Sequence, residues 1–230
     1  MKIQVINAIK KYHNKKVLDV DYIEFKPGYI YAVMGLNGSG KTTLLQSIAG
    51  INKLTNGEVL YDGKDFKYIK DRITMMMQQP YLFDCSVKEN IIMGLKFRKL
   101  DKDIIQSRME SYIKYFDIEE IINQNSKKLS GGESTKVALL RTLIMETDIV
   151  LLDEPTASMD VESTISAEGL MKNIMNENRI LIVVTHDLYQ AERIADYVVF
   201  MDKGKIIEMG EKEKVFRDPK NHKLKLLLNK

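Results

Sequence analysis

Three stretches of the sequence predict an α/β protein with a central, mostly parallel sheet. Ile30 to Met34 is an apolar run ending at Gly35, followed by a glycine-rich loop and a stretch of helical character from Lys41. Ile149 to Leu152 and Ile180 to Val184 are continuous apolar runs, the pattern of strands covered on both faces. Each ends in a polar cluster, Asp153-Glu154 in the first and Thr185-His186-Asp187 in the second. Such runs are what a central parallel strand requires.

Taken in order, residues 2–25 alternate apolar and polar positions and predict antiparallel strands closed by Pro27-Gly28. Tyr12 stands in the KKYHNKK turn, either as a half-exposed hairpin aromatic or as a flat ring able to stack on adenine. Gly35 to Thr42 fits G-x-x-x-x-G-K-[ST]. Glycines at that spacing let consecutive backbone N–H groups curl round phosphates, while Lys41 neutralises β/γ charge and the Thr42 hydroxyl reaches Mg²⁺. A chance glycine turn is the alternative, but the preceding strand and following helix are the context the motif requires. The stretch is therefore a P-loop, which establishes a triphosphate site without choosing a function.

Gly50 is a helix stop, and EVLYDGKDF predicts an edge hairpin around Asp62-Gly63. Ile73 to Met77 is a short strand with core methionines, ending at Gln78, which is placed to reach a metal or a water unless it is a plain polar strand end. From Ser86 to Glu146 the apolar residues recur at three- and four-residue intervals, predicting a mostly helical insertion. Within it, Ser130-Gly131-Gly132-Glu133 precedes a helix and is either an ordinary cap or a second anion grip. Asp153 and Glu154 are two carboxylates at a buried strand end, costly unless employed. Asp153 is assigned to the Mg²⁺ shell and Glu154 to the attacking water, with their side chains diverging by strand alternation. A helix is predicted over 161–178, a hairpin around Asp202-Lys203-Gly204, and an amphipathic surface helix near Leu224 to Leu228. His186, at a strand end, is either structural or a γ-phosphate partner.

Composition narrows the class without naming it. The chain of 230 residues is 44% hydrophobic and 29% charged with a net charge of +3, which gives no argument for nucleic-acid binding. Cys85 is the single cysteine, so no intramolecular disulfide can form and a reducing compartment is expected. The amino terminus lacks the apolar core of a signal peptide, and no apolar run approaches a membrane span.

GLNGSGKTT, Gln78, LSGGE, IVLLDE, the ASMD segment ending at Asp160, and His186 in THD follow the order found in ATP-binding cassette (ABC) ATPases, and the chain resembles a nucleotide-binding domain of that family from end to end. The resemblance implies the P-loop NTPase ABC ATPase fold. Residues of about 1–78 and 147–230 would form the core with an antiparallel β subdomain, and 79–146 a helical subdomain facing transmembrane partners. It implies phosphate contacts from Gly35, Asn37, Gly38, Ser39, Gly40, Lys41, Thr42 and Thr43, an Mg²⁺ shell of Thr42, Gln78 and Asp153, and adenine stacking on Tyr12. Glu154 would act on the water and His186 on the γ-phosphate.

Ser130, Gly131, Gly132 and Glu133 would act in trans on the ATP of a second copy, in a head-to-tail dimer, and Asp160 would couple the two sites. The family's usual LSGGQ-x-QR is here LSGGE-S-TK, with departures at Glu133, Thr135 and Lys136. Glu133 adds a negative charge near the partner's ATP, and Lys136 lacks the arginine fork. The expected function is ATP hydrolysis coupled to transport through separate permease subunits at the cytoplasmic face of the membrane. The resemblance of QQPYLFDCSVKENI, GLKFR and PTASMDVES is to importers of small solutes, among them oxyanions such as tungstate or phosphate, where a solute-binding protein would accompany import. The chain is expected to lack the long carboxyl-terminal regulatory domain of some importers. The alternative is a soluble ABC ATPase acting on nucleic acid or ribosomes, against which stand the lack of a paired cassette, coiled-coil insertion or zinc hook. No nucleic-acid partner is expected.

Overall fold

The computed structural model describes residues 1–228. In chain order it contains β1 (Ile3–Tyr12), β2 (Lys15–Phe25), β3 (Ile30–Met34), α1 (Lys41–Ile48), β4 (Asn56–Tyr61), β5 (Ile73–Met76), α2 (Val87–Phe97), α3 (Lys102–Ile113), α4 (Gly131–Leu143), β6 (Ile149–Asp153) and α5 (Val161–Asn173). These are followed by β7 (Ile180–Val184), α6 (Leu188–Ile194), β8 (Tyr197–Asp202), β9 (Lys205–Glu211), α7 (Lys212–Arg217) and α8 (His222–Leu227).

Two sheets organise the molecule. β2, β1 and β4 form an antiparallel sheet, and β5-β6-β7-β3-β8-β9 form a six-stranded sheet in that order. All neighbours in the larger sheet are parallel except β8 and β9. Its central strands β3, β6 and β7 are buried at every position, Asp153 included, because each face meets a different core. Val150 and Leu152 of β6 join the cluster under α2, α4 and α5, whereas Ile149 and Leu151 join the cluster shared with α1 and the antiparallel sheet. Burying one such side chain contributes roughly 1.5–3 kcal/mol.

Parallel pairing has a direct consequence for the site. Met76 lies opposite Leu152, Asp153 opposite Val184, and Val33 opposite Val184. The carboxyl ends of β3, β5, β6 and β7 therefore share one edge, where α/β sheets characteristically bind ligands.

The structure departs from the sequence expectations in several places. The Asp62-Gly63 hairpin reduces to a turn with one bridge, Tyr61 to Lys64, because the chain folds inward and Phe66 packs edge-on to Tyr61. α5 ends at Asn173 rather than 178: the Arg179 guanidinium takes the Ile174 carbonyl, and the Asn176 side chain accepts from Asn178 N–H, closing a turn. Met76 is buried, but Met77 is exposed. Ile104 is also exposed, so the apolar stripe of α3 is narrower than its spacing suggests. The carboxyl-terminal segment forms two short helices rather than one surface helix, and Leu224 is fully buried against a third core containing Met34, Val198 and Phe200.

Candidate functional site

The cleft is built from the loop that joins β3 to α1. Gly35 has φ 146° and faces the Met201 carbonyl so closely that an added Cβ would lie 2.2 Å from that oxygen. Gly38, at φ 77°, has no atom within 4 Å of its Cβ position, so its open side belongs to the cleft. α1 begins without a side-chain cap, and the first N–H groups of a helix have no partner within it. They therefore face the space beside Gly38 as ready donors to an anion.

Asn37, Gly38, Ser39, Gly40, Lys41, Thr42, Thr43, Gln78, Asp153 and Glu154 line a cavity of about 380 Å³, together with Val17 and Val184. A neighbouring cavity of about 360 Å³ shares Asn37, Gln78 and Glu154 and adds Gly35 and His186. Lys41 is 7% exposed, and its ammonium donates to the carbonyls of Gly35 (2.8 Å) and Leu36 (3.2 Å). Burial lowers its pKa, opposed by the nearby carboxylates of Glu154 and Asp153.

Asp153 is 1% exposed and neither carboxylate oxygen has a hydrogen-bond partner. Burial raises its pKa and Glu154 adds to the rise; the nearby Thr42 hydroxyl and Lys41 ammonium pull the other way without satisfying either oxygen in bonding geometry. A buried carboxylate left in this state fits a hard cation that takes one carboxylate, a hydroxyl, an amide oxygen and phosphate oxygens. Asp153, Thr42 and Gln78 offer that donor set on one cavity wall.

Glu154 does not diverge from Asp153 by strand alternation, as the sequence suggested. It sits beyond the strand at φ 52°, its N–H donates to the Val184 carbonyl at 2.9 Å, and its side chain reaches the same cavity as Asp153. Its Oε2 lies 2.9 Å from Nδ1 of the exposed His186. The segments after β6, β7 and β3 thus bring a carboxylate, an imidazole and a glycine-rich loop to one sheet edge.

Other candidates lie elsewhere. Ser130, Gly131, Gly132, Glu133, Asp160 and Tyr12 line neither cavity. Ser130 caps α4 in a capping box: its hydroxyl accepts from Glu133 N–H (3.3 Å), and Glu133 Oε2 accepts from Ser130 N–H (2.8 Å) and from the Ser130 hydroxyl (2.7 Å). These bonds hold the Glu133 pKa below its usual value. A Cβ on Gly132 would lie 3.0 Å from the Ser158 carbonyl, so the start of α4 abuts the loop before Asp160. Asp160 caps α5, accepting from Ser163 N–H at 2.7 Å and from the Ser163 hydroxyl at 2.9 Å. Tyr12 closes β1, receives Asn52 Nδ2 on its hydroxyl at 3.0 Å, and has Lys10 Nζ 5.0 Å from its ring centre. Val17 and Val184 could not be foreseen as lining residues, since an apolar strand residue carries no chemical signature.

A family model described as ABC transporter matches residues 18–157, more than half of the chain. The tungstate uptake system ATP-binding protein TupC of Peptoclostridium acidaminophilum is 41% identical over 212 residues, which cover 90% of this chain and 98% of that protein. The phosphate import ATP-binding protein PstB 1 of Enterococcus faecalis is 34% identical, over 91% of this chain and 89% of that protein. The spermidine/putrescine import ATP-binding protein PotA of Clostridium novyi is also 34% identical, but the match spans only 65% of its length. Among solved structures, a dimeric post-hydrolysis state of the ATP-binding cassette MJ0796 bound to ADP and Pi matches with a TM-score of 0.83 at 25% identity, over 91% of this chain and 98% of that one. An ATP-binding subunit of an ABC transporter matches with a TM-score of 0.89 at 21% identity, showing the same fold.

Proposed function

The chain belongs to the ABC transporter family as an ATP-binding, ATP-hydrolysing subunit, and from that premise we propose that it drives import of a small oxyanion of the tungstate class through separate permease subunits. The observation that carries the catalytic part is the meeting of the glycine loop, the unpartnered Asp153 and the Glu154–His186 contact at one cleft. The similarity to the tungstate protein across nearly the whole of both chains supports the substrate class.

In this reading the loop from Gly35 to Thr43 wraps the phosphates, and Lys41 turns from the Gly35 and Leu36 carbonyls toward the β/γ oxygens. Asp153, Thr42 and Gln78 would hold Mg²⁺, which neutralises charge developing on the transferred phosphoryl. Glu154 accepts a hydrogen bond from the attacking water and orients it in line, while His186 holds Glu154 and reaches the γ-phosphate. Tyr12 stacks on adenine with its free face. Ser130 to Glu133 of a second copy close over the γ-phosphate, and Asp160 links the two sites. The nucleotide core is residues 1–78 with 147–230, and the helical stretch 79–146 meets the permeases. ATP binds the closed dimer better than the open one, so loss of the γ-phosphate reopens it. Among the described residues no helix is long and apolar enough to cross a membrane, and the subunit is placed on the cytoplasmic face through the permeases.

The test is ATP-driven uptake in vesicles reconstituted with the membrane proteins that co-purify with the chain. Tungstate should enter, phosphate and spermidine should enter poorly, and Glu154→Gln should stop both uptake and turnover. Preferential spermidine uptake would reject the substrate class. Turnover unaffected by Glu154→Gln would reject the catalytic assignment, and co-purification with ribosomes or DNA in place of membrane proteins would reject transport.

A further inference from the structure

Glu154 is held in an unfavourable backbone conformation. A non-glycine residue at φ 52° is uncommon, and Glu154 also precedes Pro155, whose ring disfavours helical conformations in the residue before it. Such a conformation persists only where neighbouring contacts over-determine it. One of those contacts is the bond from Glu154 N–H to the Val184 carbonyl. The other side of the turn is held two residues later, by a side-chain network that the proposed chemistry does not use.

Gln190, on α6, is 1% exposed, and its Nε2 donates to the Thr156 hydroxyl at 2.8 Å. The same nitrogen lies 3.5 Å from Glu168 Oε1, and Glu168 is itself buried and gripped in bidentate fashion by Arg193 at 2.7 and 2.8 Å. A carboxylate only accepts, so the Gln190 amide must present its nitrogen to Glu168, and its second N–H is thereby aimed at Thr156. Thr156 anchors the loop in turn: its carbonyl accepts from Met159 N–H at 3.0 Å, and the Glu154 carbonyl accepts from Ala157 N–H at 3.3 Å.

The geometry points to a clamp. Gln190 sits on the helix that starts directly after His186 and Asp187, and Thr156 sits two residues after Glu154. A part-buried hydrogen bond thus ties together the segments carrying the two partners of the Glu154–His186 contact. We propose that Gln190 and Thr156 are positioning residues for ATP hydrolysis, setting the place of the Glu154 carboxylate relative to His186 and the attacking water. The proposal rests on the catalytic reading of the cleft given above.

Thr156→Val removes the hydroxyl at nearly constant volume, Thr156→Ser restores it, and Gln190→Met removes the donor from the other side should the valine variant fold poorly. In the reconstituted transporter, Thr156→Val and Gln190→Met should lower kcat about 10- to 100-fold, the scale on which misplacing a reacting group by up to an ångström acts. KM for ATP should stay near wild type, because no P-loop contact is touched, and Thr156→Ser should recover most of the rate. Combined with Glu154→Gln, the valine change should cause no further loss. The clamp is rejected by a folded Thr156→Val with wild-type kcat, by a loss confined to thermal stability, or by a loss that adds to that of Glu154→Gln. If Glu154→Gln itself leaves turnover intact, the catalytic reading fails; if it abolishes turnover while both clamp variants keep kcat, only the clamp fails.

Discussion

Asp153→Asn exposes what the cleft costs the empty protein. The carboxylate is buried, both oxygens lack partners, and desolvation is the largest influence on its raised pKa. Lys41 does not repay that cost, since burial also dominates its own lowered pKa. A raised folded-state pKa means that the group's contribution to stability is fully present below its unfolded value of 3.8 and is lost as pH rises through the folded pKa. Raising the pH to 7.5 carries the group toward that loss. Leaving a buried polar group unsatisfied costs about 1–3 kcal/mol, more when it is charged, and a neutral amide escapes the charged part. Removing the charge should therefore stabilise the ligand-free chain by about 2 kcal/mol, or roughly 4–8 °C in Tm for a chain of this size. Calorimetry or thermal circular dichroism at pH 7.5 reads the shift, and repeating it near pH 3.5 should find it gone. Adding Mg²⁺ with ATP should raise the Tm of the wild type more than that of the variant. A variant less stable than wild type at pH 7.5, or an advantage that persists at pH 3.5, would refute the idea that the carboxylate is held unpaired for a cation.

Two glycines of the same loop should respond in opposite ways. Gly35→Ala drives a Cβ to 2.2 Å from the Met201 carbonyl and should prevent stable folding, seen as loss of soluble protein and of cooperative melting. Gly38→Ala meets no atom within 4 Å and carries only the strain of φ 77°, about 1–3 kcal/mol; it should fold, while KM for ATP rises as the methyl group enters the phosphate space. The capping box at α4 gives a pH signature. The Glu133 pKa is lowered chiefly by its hydrogen bonds to Ser130, so its stabilisation is present above the unfolded value of 4.5 and is lost as pH falls through the folded pKa. Glu133→Gln should flatten that part of the acid-unfolding profile. It should also lower the ATP concentration needed for dimerisation up to about fivefold at low salt, the scale of a partly exposed charge contact; an unchanged requirement would remove Glu133 from the dimer surface.

Much of the site could be read from the sequence because parallel strands buried on both faces leave a plain apolar signature, and each ends in a residue that such burial would not tolerate idly. Asp153 after IVLL follows from that logic, and the spacing of Gly35, Gly40, Lys41 and Thr42 carries its own chemistry, whereas the exposed His186 beyond ILIVV drew its role from the family resemblance alone. Alternation failed at Glu154 because it presumes a strand, and the residue lies in a left-handed turn beyond one. The helix predicted to residue 178 stopped early because Arg179, just beyond it, folds its guanidinium back onto the carbonyl of the capping Ile174. The hydrogen bond between Gln190 and Thr156 joins residues 34 apart, and no local pattern announces such a contact. Leu224 looked like part of a surface stripe because the core that receives it is assembled from β3 and β8, far away in sequence.

If the cleft of one chain is completed by the start of α4 of another, two variants broken on opposite sides of the shared site should rescue each other. Lys41→Met removes the phosphate-binding ammonium, and Ser130→Arg blocks the surface that would close over a partner's ATP while leaving its own loop intact. Each variant alone, assembled with the permeases, should be inactive. Co-assembled, they form mixed dimers in which one cleft pairs an intact Lys41 with an intact Ser130 from the other chain, and ATP turnover should return. Mixed dimers that remain inactive, or Ser130→Arg assemblies that hydrolyse ATP unaided, would contradict a site shared between two chains.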